Sequence, residues 1–286
     1  MGNQASLSTA SSSSGSWEDD LSDDDDHFTD DMAIHQTDDN HYVDAITHIP
    51  VIFAPACVAH MAAVRASRKM ADYLATLDDT VMECHHIDVE NVKMFGPAVG
   101  FIYATAALVQ PGTRKPIPGI VHITGPSAAV LIVLHVAAPG DDPQTVLMLV
   151  EQRRGPTGTR ATELLAGMAD EDGCLGGVAI KEAREETGMV IPNVADMIPL
   201  RSYWASPGRT SEWIDLFAWV QDLTQDAYSQ LIRRTAGRQL GVGDESITVK
   251  FIDYQPHMDL AVYEDAKLEV AFARYQEFCW RNGRAL

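Results

Sequence analysis

The chain has 286 residues, 46% of them hydrophobic, and a formal net charge of −20. That is enough apolar material for one large domain or two, and the absence of a basic patch or RNA-binding motif argues against nucleic acid as a partner. The four cysteines, Cys57, Cys84, Cys174 and Cys279, form no CxxC pair, which argues against a finger-type metal site and points to a reducing compartment.

The charge is unevenly spread. Twelve of the 41 acids precede Arg65, the first base, so the rest of the chain carries 29 acids against 21 bases. Residues 1–45 are rich in Ser and Asp and too poor in apolar side chains to offset the entropy of ordering, so they are expected to form a disordered acidic tail. The tail begins "MGNQAS", which fits the N-myristoylation pattern M-G-x-x-x-[ST] at Gly2. That pattern is short and recurs by chance. A single acyl chain with no neighbouring cysteine or polybasic run gives weak, reversible membrane association at most; labelling with a clickable myristate decides whether Gly2 is acylated. Ser16 and Ser22 each precede an acid by three residues, which suits an acid-directed kinase or simply a solubilising tail. Such a tail is unlike an Arg-rich, acid-poor transit peptide, so the expected location is the cytoplasm.

"AITHIPVIFAPACVAHMAAV" follows, broken by two prolines and two histidines. It is too interrupted to span a bilayer and leads into a buried helix expected at about 56–78. Strand-like segments come next: "VKMFGPAVGFIYATAALV", "PIPGIVHIT", "AAVLIVLHVAA" and "TVLMLVEQRR", separated by Gly and Pro turns. A helix is expected at about 176–187, ending at Gly188 in the C′ position. Further strands are expected in "IPLRSYWAS", "EWIDLFAWV" and "ITVKFIDYQ", and a final helix in "EDAKLEVAFARYQEFCWRN". Mixed strands and helices indicate a sandwich of the α/β or α+β class.

The helix at 176–187 carries the chemistry. Glu182, Glu185 and Glu186 stand three and four residues apart, on one helical face. Like charges at that spacing repel by a few tenths of a kcal/mol, roughly, in an isolated helix. A solvated charged face, with Lys181 and Arg184 nearby, is one reading; a hard divalent cation with oxygen ligands is the other.

The segment "GMADEDGCLGGVAIKEAREETGM" resembles the Nudix box, G-x5-E-x7-R-E-U-x-E-E-x-G-U, where U is bulky and apolar. Gly167, Glu182, Glu185, Glu186, Gly188 and Met189 fit their positions. Gly173 stands where the pattern has Glu, with Glu171 and Asp172 just before it; Lys181 replaces Arg, and Ala183 is small for its apolar site. "EQRRGPTG", "ELLAGM", "SPGRTSEWIDLF" and "DAKLEVAFARYQ" look like the nucleoside-diphosphate-sugar branch of the Nudix hydrolases, and the strands from residue 92 look like those of plant ADP-sugar diphosphatases. Leu165 stands where that branch has Pro.

The resemblance implies a Nudix α/β/α sandwich with a mixed β-sheet over residues 126–286. A small β-rich dimerisation subdomain over 46–125, and the tail, would precede it. It implies Mg²⁺, or Mn²⁺, held by Glu182 and Glu186 with the Ala166 carbonyl, and Glu185 as a further ligand or water-holder. A Glu on a mobile loop is the branch's usual base, which in "GVGDESITV" points to Glu245; a box glutamate such as Glu185 is the alternative. Arg154 and Glu163 would bind substrate, with Ser206, Gly208 and Glu212 as another wall. Trp204 and Trp213 would stack on a base or, as lone aromatics in strands, fill the core. The implied activity is hydrolysis of a nucleoside diphosphate sugar, an ADP-sugar such as ADP-ribose or ADP-glucose, by a homodimer. Another nucleotide substrate, such as a dinucleotide or UDP-sugar, a non-catalytic nucleotide sensor, and a scaffold role for the acidic tail are the alternatives.

Overall fold

A computed structural model describes residues 40–137, 140, 143–169, 174–236 and 246–284. Gly2, Ser16, Ser22, Glu171, Asp172, Gly173 and Glu245 lie outside the described residues.

The first sheet is built from β1 (His41–Val43), β2 (Pro50–Phe53), β3 (Glu83–Phe95), β4 (Ala98–Val109), β5 (Pro116–Ile117) and β6 (Ile120–Ile123). Its order is β1-β2-β3-β4-β5, with β6 also pairing with β4. Only β2 and β3 run parallel, and a parallel pair needs a crossover. Here α1 (Met61–Ala66) and α2 (Arg68–Ala75) lie on that crossover, burying Val64, Met70 and Leu74 with Phe53, Ile87 and Ile102.

Two expectations are corrected here. The continuous helix over 56–78 is instead a 3₁₀ turn (Pro55–His60) followed by α1 and α2. Ser67 divides them, with φ −75° and ψ 136°. Its hydroxyl donates to the Val64 carbonyl at 2.8 Å and accepts from the Met70 N–H at 3.3 Å. One side chain thus ends α1 and caps α2, the competition with backbone hydrogen bonding that keeps Ser out of helix interiors. The tail also gives way before residue 45, because His41–Val43 pairs with Pro50–Phe53 and buries Tyr42.

The second sheet contains β7 (Ser127–Ala137), β8 (Gln144–Arg154), β9 (Thr159–Glu163), β10 (Leu165–Met168), β11 (Ile198–Trp204), β12 (Trp213–Thr224) and β13 (Thr248–Asp253). Its order is β11-β12-β7-β8-β13, with β10 on β7 and β9 on β8. The β12–β7 pair is parallel and the others are antiparallel, so the sheet is mixed. Strand β7 is buried at every residue from Ser127 to Leu134, as a strand covered on both faces must be. Its side chains divide by alternation. Val130, Ile132 and Leu134 pack with Val178, Ala179 and Ala183 of α3 (Leu175–Thr187) and with Tyr228 and Leu231 of α4 (Gln225–Thr235). Ala129, Leu131 and Val133 pack with Leu268, Phe272 and Tyr275 of α5 (Ala266–Arg281). Helices on both faces of a mixed sheet make the α/β/α sandwich expected from the Nudix resemblance. Helix α4 was not anticipated, although Thr224 caps it by accepting from the Ala227 N–H at 3.2 Å.

The two sheets are joined by backbone hydrogen bonds. The His122 N–H of β6 donates to the Arg209 carbonyl at 2.9 Å, and the Ser211 N–H donates to the His122 carbonyl at 3.1 Å. Among the described residues, no helix is long and apolar enough to cross a membrane.

Helix α3 ends as the sequence indicates. Gly188 takes φ +73° and donates its N–H to the Arg184 carbonyl at 2.9 Å. No atom lies within 4 Å of where a Cβ would stand, so backbone conformation alone selects glycine. Gly188→Ala is therefore expected to lower stability by about 1–2 kcal/mol, read as a lower denaturant midpoint at unchanged slope.

Candidate active site

A cleft of about 430 Å³ opens where β8, β9, β10, β11, β12 and the start of α5 converge. Its walls include Ser127, Arg154, Glu163, Ala166, Gly167, Met168, Tyr203, Glu212, Asp265 and Lys267. The structure therefore brings together Arg154, Glu163, Ala166 and Glu212 of the residues selected from sequence. Arg154 comes from the end of β8, and Glu163 from β9 beside it. In the β8–β9 ladder Arg154 pairs with Thr159 and Val150 with Glu163.

Glu163 is only 4% exposed, yet both its oxygens are matched. Arg154 Nε donates to Oε1 at 2.7 Å and Lys267 Nζ donates to Oε2 at 3.2 Å. Lys267 Nζ also meets Asp265 Oδ1 at 2.9 Å. Burial alone would lower the Lys267 pKa, but the facing charges of Asp265 and Glu163 outweigh it and raise the pKa, holding the ammonium charged. Sequence reasoning assigned no site role to Asp265 and Lys267. The signal available was an Asp two residues before a Lys at a helix start, which looks like a cap alone.

On the opposite wall, Glu212 Oε1 accepts from Ser127 Oγ at 2.9 Å. The Ala205 N–H donates to the Glu212 carbonyl at 3.1 Å, and the Glu212 N–H donates to Thr210 Oγ1 at 3.1 Å. Tyr203 lies nearby, its hydroxyl pKa pushed up to about 12, chiefly by burial; it is a neutral donor at physiological pH. Ser206 and Gly208 are not among the cleft's lining residues. Ser206 accepts the Arg209 and Thr210 N–H groups in a turn, and Gly208 lines a separate apolar groove of about 490 Å³ against the first sheet. Trp204 and Trp213 face each other across the β11–β12 ladder, rings 5.8 Å apart and edge-on, and neither lines the cleft.

Among the described residues, none of helix α3 lines the cleft, Glu182, Glu185 and Glu186 included; the helix meets the cleft wall where Glu182 abuts Gly167. Val178, Ala179 and Ala183 turn into the core, Glu186 is 4% exposed, and Glu182 and Glu185 are half-buried. Ala183, small for its place in the box, is fully buried against the sheet. Gly167, in the cleft wall, lies directly over Glu182. A Cβ at Gly167 would come within 2.7 Å of Glu182 Cγ and closer still to its carboxylate. Only glycine lets the acid pass this close to the β10 backbone. The arrangement places a carboxylate beside the Ala166–Gly167 peptide, with the buried Glu186 one turn further along the helix.

That donor set suits a hard cation. Among the described residues, no three His, Cys, Asp or Glu side chains cluster for a metal. Mg²⁺ does not require such a cluster, because it keeps several waters and uses one or two carboxylates. Glu182, Glu186 and the Ala166 carbonyl supply that number, all oxygen.

No family model matches this chain. Nudix hydrolase 14, chloroplastic, from Arabidopsis thaliana is 32% identical over 228 residues, covering 76% of this chain and 70% of the relative. A solved structure described as an ADP compounds hydrolase matches at a TM-score of 0.48 and 14% identity, over 72% of this chain and 97% of its own; a likeness that weak carries no weight on fold or substrate. The plant relative's identity and coverage make this chain an enzyme of the Nudix hydrolase family.

Proposed function

We propose that the protein hydrolyses the diphosphate bond of a nucleoside diphosphate sugar, an ADP-sugar such as ADP-ribose or ADP-glucose, to a nucleoside monophosphate and a sugar phosphate. The observation that carries this reading is the approach of Glu182 to Gly167 in the wall of a cleft that Arg154 also lines. That approach sets a carboxylate of α3 against the wall of the cleft whose lining includes the Arg154 guanidinium.

Glu182, Glu186 and the Ala166 carbonyl are the residues to hold Mg²⁺, with Mn²⁺ as a substitute. When bound, such an ion supplies Lewis acidity to the phosphate oxygens and lowers the pKa of water. Arg154 suits the diphosphate because its planar fork donates two parallel charge-assisted bonds. Its Nε is committed to Glu163, so a buried carboxylate sets its orientation. Glu185, half-exposed on the same helix, is the box glutamate we assign to hold or deprotonate the water. Glu245, outside the described residues, is the other choice of base. Oxygen from the water joins one phosphorus, the bridging P–O bond breaks, and the departing phosphate carries the bridging oxygen. Glu212, held by Ser127, forms the wall facing Arg154.

We also propose that the first sheet pairs with a second copy, since Phe95, Tyr103 and Ile120 lie 45%, 42% and 79% exposed on its strands and hairpin. A monomer in sedimentation equilibrium at micromolar concentration rejects this. A cytoplasmic location, with weak membrane contact if Gly2 is acylated, completes the reading.

The decisive experiment is a screen of ADP-ribose, ADP-glucose, UDP-glucose, NADH and nucleoside triphosphates, with phosphatase-coupled phosphate release in Mg²⁺ and in Mn²⁺. An ADP-sugar should give the highest kcat/KM. Preference for NADH or UDP-glucose replaces the substrate, and inertness toward all of them with retained nucleotide binding replaces the enzyme with a sensor.

A further inference from the structure

Resting on the reading that Arg154 grips the diphosphate, we propose that Lys267 is a positioning residue that fixes the Arg154 guanidinium from the α5 side of the cleft. The connection runs through Glu163. An arginine side chain that is 39% exposed ordinarily samples several rotamers, and fixing it opposes its side-chain entropy. Here its Nε is bound to a buried carboxylate whose other oxygen is held by Lys267 Nζ.

Lys267 is itself anchored. Asp265 Oδ1 meets Lys267 Nζ at 2.9 Å and accepts the Lys267 N–H at 3.0 Å. Its Oδ2 accepts the Leu164 N–H at 2.9 Å. Asp265, 7% exposed, therefore caps α5 and ties the helix to the short link between β9, which ends at Glu163, and β10, which contains Ala166. The four side chains alternate in sign in the order Asp265, Lys267, Glu163, Arg154. Buried charges paired in this way keep their partners in one arrangement, and removing one member leaves another buried without its partner.

A direct grip on substrate phosphate is the rival role for Lys267. Its ammonium already serves two carboxylates, which favours the indirect one, and the two roles separate in a double-mutant cycle. The probe is α,β-methylene-ADP, whose binding by calorimetry needs no turnover. The positioning role is therefore tested even if no ADP-sugar is split.

In the otherwise wild-type protein, Lys267→Met should weaken binding by about tenfold, the scale of coupling between residues in one network. In an Arg154→Ala background the same change should weaken it less than about twofold, because the group that Lys267 positions is gone. Circular dichroism and a thermal melt establish that each variant is folded; should K267M fail to fold, Lys267→Gln replaces it in both backgrounds. Equal weakening in the two backgrounds, or no weakening in a folded variant, overturns the proposal. Loss of hydrolysis with this coupling intact would strike the proposed substrate and leave the positioning role standing.

Discussion

Glu186→Gln is expected to lower turnover on an ADP-sugar by about two to four orders of magnitude, the several kcal/mol that a catalytic metal ion contributes. Glu186 is 4% exposed, and it lies on α3 one turn after Glu182. A carboxylate carried into that position is costly to desolvate. Gln keeps its shape without the charge. Circular dichroism should therefore show the same fold while activity collapses. Added Mg²⁺ should raise the melting temperature of the wild type and not of the variant, by linkage between binding and folding. An unchanged rate at saturating Mg²⁺ rejects Glu186 as a metal ligand.

Gly167→Ala should be nearly as damaging by another route. The added methyl has no vacant space, since Glu182 occupies it. Either the glutamate swings away or β10 moves off β7, where Gly167 pairs with Ala128. Overpacking of this kind costs about 1–3 kcal/mol of stability, and a shift of roughly 1 Å in a positioned group costs about 100-fold in rate. Chemical denaturation gives the first quantity, and kcat over a range of Mg²⁺ concentrations gives the second. The half-saturating Mg²⁺ concentration should rise, because the displaced side chain is a proposed ligand. A variant with wild-type metal dependence would separate Glu182 from the metal. Gly188→Ala is the control within the same box: it meets no neighbour and acts through φ alone.

What could be read from sequence follows the range of the interactions involved. β7 and β8 are near-continuous apolar runs, and α3 is bounded by a glycine whose left-handed φ follows from local sterics. Each signal lies within about a dozen residues. The break at Ser67 was hidden because Ser fits a helix about as readily as a cap until its hydroxyl finds a partner. Helix α4 is faint in the sequence because Tyr228, Leu231 and Thr235 make only a thin buried stripe. The link between Glu163 and Lys267 was illegible for a stronger reason. The two residues are 104 positions apart, and no local pattern reports which acid a distant lysine will meet. Arg154 and Glu163 were selected by resemblance, and the structure adds their contact. Ser206 and Gly208 were selected in the same way, but the turn that the Ser206 carbonyl closes takes Gly208 toward the first sheet instead.

The backbone bonds at His122 bear on where this protein can be cut. A fragment starting at Ser127 would retain all seven strands of the second sheet, and by inspection would be a self-sufficient catalyst. It would nevertheless strip the 205–212 turn of the two partners on His122 and of the Thr124 N–H, which reaches Ser211 Oγ at 3.3 Å. Glu212 closes that turn. Shortening the chain to its motif-bearing half would therefore be expected to loosen the wall that Glu212 forms without removing any residue that lines the cleft.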